Sequence, residues 1–464
     1  MAENYEKANV NSNSLREAIA AHDIEQVRAA LKNWTPPAIA SAIRSLTGVE
    51  QAIALRVLPR KTAAATFEFL ERSDQTNLLK AMGREEVANI LNDMSPDDRT
   101  GLLEECPASV TKELLALLSP QENRVALSLL GYAKGSVGRL MTPHFVAIKQ
   151  EWSVEQVLNY VREHGQDSET LNVLYVVDDE GLLIDDIRIR EFLLAQPNKV
   201  VSDIMDNRFV SLTATDSEQV AVNVFLNEDR KALPVTDTAG VLLGIVTIDD
   251  VLKVAEVAAT KEIQKIGGSE AFDEPYMSIT FWRMVKKRAG WLVILFLGEM
   301  LTATAMGFFE GEIEKAVVLA LFVPLIISSG GNSGSQATTL VIRALALGEV
   351  KLTDWWHVMR REIFAGLALG SILGSIGFLR IAGWAQFSSI YGPHWLLVGL
   401  TVGVSLVGIV MWGTLAGSML PFILRRVGLD PATSSAPFVA TLVDVTGLII
   451  YFSVGYVFLR GTLL

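Results

Sequence analysis

Apolar positions change their rhythm twice along the chain. Between residues 14 and about 130 they recur at helical spacing in short blocks split by turn punctuation. LNDMSPDDRTGLLEECPASVTKELLALLSP reads as apolar helix, polar or Ser-Pro break, apolar helix. Ser95 before Pro96 and Ser119 before Pro120 have the form of N-caps with proline at the first helical position. The pattern predicts short helices stacked at right angles, similar to a solenoid.

From residue 141 to 260 the pattern alternates and nearly repeats itself. Met141-Thr142-Pro143 and Ile204-Met205-Asp206 each open a unit. Each unit continues with a strand (FVAIK; FVSLTA), a helix (VEQVLNYVREH; EQVAVNVFLNE) and a hairpin (VLYVVDDEGLLIDDIRI; ALPVTDTAGVLLGIVTI). The hairpins turn at acid-rich or glycine-containing corners, and a helix follows each. These units resemble a tandem CBS pair. The resemblance assigns Thr247 and Asp250, with Pro234, to a nucleotide such as ATP, the Thr and Asp holding its ribose. The same two residues also suit a plain strand-to-helix N-cap. The first unit carries Asp185, Asp186 and Arg188 where Gly and Thr would sit, so no nucleotide is expected there.

Beyond about residue 275 long apolar runs take over. A bilayer core takes about 20 apolar residues of helix, and five stretches qualify: Gly290–Phe309, Ala316–Leu347, Ile363–Trp384, Trp395–Ile423 and Ser434–Leu459. The second holds Pro324 and Gly330–Gly331. The fourth holds Gly399, Gly403, Gly408, Gly413, Gly417 and Pro421. Such residues let helices approach closely, or break them where they line a cavity. Lys and Arg cluster before span one (Arg283, Lys286, Lys287, Arg288), between two and three (Arg343, Lys351, Arg360, Arg361) and between four and five (Arg425, Arg426). The opposite connections are acidic (Glu310, Glu312, Glu314) or uncharged (386–393). The expectation is a multi-pass protein of the cell's inner membrane, N-terminus cytoplasmic and C-terminus outside. An odd number of spans leaves little room for a pathway inside one protomer, which points to an oligomer interface.

Charge divides at the same place. From Tyr276 onward there are 9 acids and 13 Lys plus Arg, leaving 43 acids and 27 bases before it, so −16 is joined to +4 in a chain of 464 residues and net charge −12. No basic patch offers to neutralise phosphates, so nucleic acid is not an expected partner. A single Cys106 excludes a disulfide framework and fits a reducing compartment. MAENYEKANVNSNSLREA has no apolar core, so no cleavable signal is expected and the head stays in the cytosol. No P-loop, metal-ligand cluster or nucleophile–base spacing suggests an enzyme.

The candidate chemistry lies in two spans. Asp444 sits mid-span in SSAPFVATLVDVTGLIIYF. An ionised carboxylate at that depth costs roughly 3 kcal/mol or more unless a cavity or counter-charge receives it. No Lys or Arg occupies a span interior, and Glu299 is the only other deep acid. A passing cation supplies the missing charge. Around Asp444 the helical neighbours are Ala440, Thr441, Gly447 and Leu448, three of them small, which predicts an open stripe. In span two, residues 328–336 read SSGGNSGSQ. Gly331, Asn332 and Gly334 are expected to line the path, with hydroxyls, an amide and free carbonyls at membrane depth. Neither His nor Cys accompanies them, which disfavours Zn²⁺ or Cu⁺. Two Asp444 carboxylates from a symmetric homodimer would meet on its axis, a donor set that suits hydrated Mg²⁺.

The order of domains, with GGNSGSQATTLVIRALA (330–346), RRVGLDPA (425–432) and PFVATLVDVTGLIIYFS (437–453), resembles the MgtE family of Mg²⁺ channels over nearly the whole chain. The resemblance implies an all-α superhelical N domain (1–135), α/β tandem CBS domains (136–200 and 201–256), a connecting plug helix (257–285) and an α-helical five-span pore domain (286–464). It further implies a homodimer in the lipid bilayer, a pore lined by spans two and five, Asp444 as the selectivity carboxylate, and Mg²⁺ influx closed by cytosolic Mg²⁺ and modulated by ATP. Asp97, Asp250, Glu256, Glu262 and Asp430 are the acids it assigns to regulatory Mg²⁺. The plug departs from the family pattern: Lys253, Ala258 and Lys261 stand where acids are expected. Closure by Mg²⁺ is then weaker, or the lysines substitute for the ion. The competing expectation is a proton- or sodium-coupled divalent-cation exchanger, with Asp444 and Glu299 as relay acids.

Overall fold

The computed structural model describes residues 15–21, 23–272, 276 and 279–463, so residues 1–14, expected to stay in the cytosol, lie outside it. Helices α1 (Ile24–Leu31), α2 (Pro36–Ile43), α3 (Gly48–Arg56), α4 (Arg60–Glu68) and α5 (Arg72–Ala81) open the chain. They are followed by α6 (Arg84–Asp93), α7 (Pro96–Glu105), α8 (Ala108–Leu115), α9 (Pro120–Leu130) and the single turn α10 (Val137–Leu140). Helices this short gain little from propensity and depend on burial of one face. Ile39, Ile43, Leu55, Phe67, Leu78, Leu91 and Leu102 provide it.

Each helix end leaves carbonyls without a partner, and this array closes them by one recurring device. A polar side chain donates to the carbonyl eight residues earlier: Gln51 to Ile43 (3.1 Å), Gln75 to Phe67 (2.8 Å), Arg99 to Leu91 (3.0 Å), Thr111 to Leu103 (3.1 Å) and Asn123 to Leu115 (2.7 Å). Gln51, Gln75 and Arg99 are buried for that reason. Ser119 caps α9, its Oγ accepting from Glu122 N at 3.2 Å. Ser95 stands at the N-cap of α7 but makes no such bond; its own N–H donates to Glu68 Oε1 at 2.7 Å.

Two matching αβ units follow. The first holds β1 (Ala147–Ile148), α11 (Val154–His164), β2 (Val173–Val177), β3 (Leu183–Arg188) and α12 (Ile189–Leu194). The second holds β4 (Leu212–Thr213), α13 (Glu218–Asn227), β5 (Ala232–Thr236), β6 (Leu242–Thr247) and α14 (Ile248–Ile266). In each, a short strand runs parallel to the first strand of an antiparallel hairpin. The corners are alike: Asp178 and Asp237 each accept two backbone N–H groups, and Gly181 and Gly240 adopt φ of +84° and +90°. The connecting helix starts at Ile248, inside the expected second unit, because β6 runs straight into it.

The chain divides into two compact units, Met1–Val257 and Ala258–Leu464. The second contains α15 (Phe281–Phe308), α16 (Glu310–Lys315), α17 (Val317–Ala320), α18 (Val323–Ala346), α19 (Trp355–Trp384), α20 (Trp395–Arg426) and α21 (Ala436–Leu459). Five of its segments are long and apolar enough to cross a membrane, as expected. α15 extends further back than its apolar run, so Arg283, Lys286, Lys287 and Arg288 lie within the helix. Span two is broken ahead of Pro324, which heads α18. The expectation of free carbonyls at 328–336 is corrected: α18 is helical throughout that stretch and spends its carbonyls on itself. α20 likewise continues through Pro421.

Glycine here serves contact between helices. Added Cβ atoms at Gly370 and Gly374 of α19 would lie 2.8 Å from Val407 Cα and 2.5 Å from Gly403 O of α20, whereas one at Gly383 would meet nothing within 4 Å. Gly374→Leu is therefore expected to lower the melting temperature of the detergent-solubilised protein, with overpacking costing about 1–3 kcal/mol. Gly383→Leu should melt with the wild type, and equal melting of all three proteins would disprove the close-contact role.

Candidate functional site

α18, α20 and α21 place the membrane residues. Gly330 and Gly334 turn one side of α18 to α20: a Cβ at Gly413 would lie 2.6 Å from Gly330 O, and Thr338 Oγ1 donates to Gly417 O at 2.9 Å. That contact leaves Gly331 facing α21, where a Cβ would stand 3.1 Å from Asp444 Oδ1 and 3.3 Å from Ala440 Cβ. Asp444 is half-buried, and among the described residues no group donates a hydrogen bond to it. Glu299 of α15 is within coulombic reach. Asn332 is exposed on α18, its amide donating to Ser328 Oγ at 3.3 Å.

Other expected lining residues face elsewhere. A Cβ at Gly334 would meet Val439 and Gly413, and one at Gly447 would meet Ile409 of α20, so both are packing positions inside the protomer. Thr441 bonds back to Pro437 O at 3.1 Å and turns its methyl to Gly298 of α15. The open stripe predicted around Asp444 thus shrinks to Asp444, Ala440 and Gly331. Spacing along one helix names neighbours but cannot say which of them a second helix covers.

In the first unit, Asp97 and Asp98 in the first turn of α7 meet Asp250 in the first turn of α14; a carboxylate oxygen from each lies within 4.8 Å of the others. Lys253, one turn after Asp250, puts its Nζ 3.0 Å from Asp250 Oδ1 and 3.5 Å from Asp98 Oδ1. Against desolvation, Asp98 and Asp250 raise the Lys253 pKa well above the ordinary lysine value, so it is a fixed cation. Asp97 Oδ1 is buried with no hydrogen-bond partner. Burial, then Asp250, Asp98 and Glu169, push its carboxyl well above the usual carboxylate range. Asp98 and Glu169 are members of this cluster that the sequence reading missed, though Asp98 sits one residue from Asp97; Lys253 stands at one of the positions where an acid was expected. Glu256 does not join it: its side chain is exposed on α14.

In the second unit, Asp430 accepts from Lys265 Nζ at 2.5 Å and from Ala432 N at 2.9 Å, which hold its carboxyl low despite desolvation. Burial and then Asp430 raise the Glu262 pKa. Of the five acids expected to share regulatory ions, Asp97 and Asp250 fall in one group and Glu262 and Asp430 in another, each already supplied with an ammonium, and Glu256 stands in neither.

The second hairpin keeps its expected residues together. Pro234 pairs with Ile245 and Ala232 with Thr247, so Pro234 and Thr247 share a face. Thr247 Oγ1 lies 2.5 Å from Asp249 Oδ1 and 2.9 Å from Asp250 Oδ2, an arrangement that fits a ribose site and a helix start equally. In the first unit Asp185 accepts from Asp206 N and Asn207 N, and Asp186 pairs with Arg230. Burial moves the Asp186 carboxyl up to about 6 in spite of that pair. These acids tie the fold together.

Family models match nearly all of this plan: one described as "Divalent cation transporter" at residues 323–454, "MgtE intracellular N domain" at 34–135 and "CBS domain" at 137–197 and 201–256. The chain is 41% identical over 351 residues to the magnesium transporter MgtE of Thermus thermophilus, covering 75% of this chain and 76% of the relative. It is 30% identical to that of Enterococcus faecalis, over 72% and 71%. Among solved structures it is similar to the cytosolic domain of the Mg²⁺ channel MgtE in complex with ATP, at 32% identity, 52% of this chain, 99% of that one and a TM-score of 0.50. The soluble part of a magnesium transporter matches at 26% identity, 54% of this chain, 99% of that one and a TM-score of 0.51.

The acidic group makes a pH prediction. Glu68, beside it, is raised to about 7 by burial, with Asp98 and Glu169 adding to the shift and the Ser95 N–H opposing it. A carboxyl raised on folding adds stability that is full below its unfolded value and lost as pH rises through the folded one. Glu68→Gln, neutral throughout, should melt with the wild type below about pH 4.5 and above it by a few degrees past pH 7, at roughly 2–4 °C per kcal/mol. A pH-independent difference would refute the assignment.

Proposed function

The chain belongs to the MgtE family of magnesium transporters, and from that premise we propose that it carries Mg²⁺ inward as a homodimer through a path beside Asp444. The observation that carries this is a half-buried carboxylate in the middle of α21, faced by bare glycine backbone and given no donor among the described residues. A cation that keeps part of its water can be held there by one or two carboxylates. The alternation of basic and acidic connections supports a cytoplasmic N-terminus. ATP at the second αβ unit draws support from the shared face of Pro234 and Thr247 and from the ATP-bound relative.

Control by the cytosolic unit differs here from control by a free ion. The donor set of Asp97, Asp98 and Asp250 suits a divalent cation, but Lys253 already delivers a positive charge to two of them. On this reading the lysine holds α7 to α14 at any Mg²⁺ concentration. A coupled exchanger is the second reading, favoured by Glu299 lying within coulombic reach of Asp444. Flux with a fixed proton stoichiometry would support it, and ohmic current would exclude it.

Two measurements test the proposal. Asp444→Asn, expressed in a transport-deficient cell and confirmed in the membrane, should reduce Mg²⁺ uptake at least about ten-fold, equivalent to ~1.4 kcal/mol. Unchanged uptake would move the path away from α21. Lys253→Asp should make protease resistance of the cytosolic unit depend on added Mg²⁺, while the wild type resists equally in chelator. The same Mg²⁺ dependence in both would remove the lysine from control.

A further inference from the structure

A second polar site lies within Ala258–Leu464, away from Asp444. A cavity of about 430 Å³ opens between the end of α14, the turn after it, α15 and the loop before α21. Lys286, Lys287 and Lys265 stand on its wall, with Gly290, Trp291 and Ile294 following along α15. Lys287 Nζ donates to Ala271 O, which fixes its ammonium at the wall. Trp291 Nε1 donates to Ser435 Oγ at 3.1 Å, and its ring is braced by Gly268, whose φ of +73° only glycine holds without strain. Of the two acids on the wall among the described residues, Asp430 is already paired with Lys265, and Glu270 is exposed.

The chemistry changes in order along α15. Two lysines come first, then an indole anchored by its N–H, then Ile294, which is 52% exposed. Only 6% of the most apolar stretch of α15 is buried, so much of its surface away from α21 is open beyond that point. Cations, an amphipathic ring and an apolar face in succession match the phosphate, glycerol and acyl levels of a phospholipid. A Cβ at Gly290 would meet nothing within 4 Å, so the cavity continues past the lysines toward the apolar face. We propose that this cavity binds the phosphate headgroup of an anionic phospholipid, with Lys286 and Lys287 on the phosphate and the acyl chain lying along Ile294. The leaflet follows from the reading that residues before α15 are cytoplasmic; the site itself does not depend on Mg²⁺ transport.

The test is lipid titration of the full chain in detergent, read by native mass spectrometry. Phosphatidylglycerol is compared with phosphatidylcholine of the same chains, and with glycerol 3-phosphate as the soluble source of the same phosphate chemistry. The wild type should prefer phosphatidylglycerol. The Lys286→Gln/Lys287→Gln double variant should lose about ten-fold or more of that affinity, as expected for two lysines near an anionic headgroup. Gly290→Leu, which fills the cavity without removing charge, should lose it too, while Lys351→Gln, outside the cavity, should keep it. No preference in the wild type, retention by both cavity variants, or equal loss in Lys351→Gln would overturn the proposal. Displacement of the lipid by equimolar glycerol 3-phosphate would overturn it in favour of a soluble phosphate ligand. Mg²⁺ uptake, measured separately, tells failure of this site from failure of the transport reading.

Discussion

Backbone contact between α18 and α20 is the constraint on which the membrane unit depends. Gly330 and Gly334 meet Gly413 and Gly417 so closely that no side chain fits between them. In a bilayer, dispersion and backbone approach replace the hydrophobic effect as the force that joins helices. Once α18 is pressed to α20 on that side, the helical turn of about 100° per residue sends Gly331 to a different neighbour, α21. The bare backbone before Asp444 is thus a consequence of packing one residue away. A larger residue at position 331 would crowd the carboxylate directly.

The same contact explains why the glycine-rich stretch is helical. Glycine costs about 1 kcal/mol against alanine in a solvated helix, and from composition alone 328–336 reads as a break. Away from water an open carbonyl has nothing to bond with, so the helix is retained and the glycines serve its surface. Two of the serines in this stretch fit the same rule, Ser329 Oγ donating to Leu325 O and Ser335 Oγ to Ala436 O, while Ser333 Oγ is buried without a partner. The polarity that suggested a lining is largely spent within the protein.

Much of the architecture was legible because its signals are local. Proline and serine mark the starts of α7 and α9, the Asp-x-x-Gly corners mark both hairpins, and apolar runs mark the spans. What was hidden depends on which element covers which face. Gly334, Gly447 and Thr441 sit at the right spacing from Gly331 and Asp444, yet helices α20 and α15 cover them. The capping device of the helical array was hidden for another reason. Gln51, Gln75, Arg99 and Asn123 recur every 24 residues but share only the ability to donate.

Helix α14 brings the electrostatics together. It carries Lys253 to Asp98 and Asp250 of the first unit, and Lys265 to Asp430 of the second. A carboxylate at either lysine position would leave a cluster of like charges, stable only while an ion from solution occupies it. Occupancy, and with it the held conformation, would then follow Mg²⁺ by mass action. An ammonium built into the helix has no such dependence: its effective concentration at the acids is set by the chain and does not fall when the cell is depleted of Mg²⁺. Asp97 is left out of this pairing: its buried Oδ1 has no hydrogen-bond partner, and the lysine contacts its two neighbours instead. Lys253 and Lys265 thus bring to these acids, from one helix, the charge that an ion would otherwise have to supply.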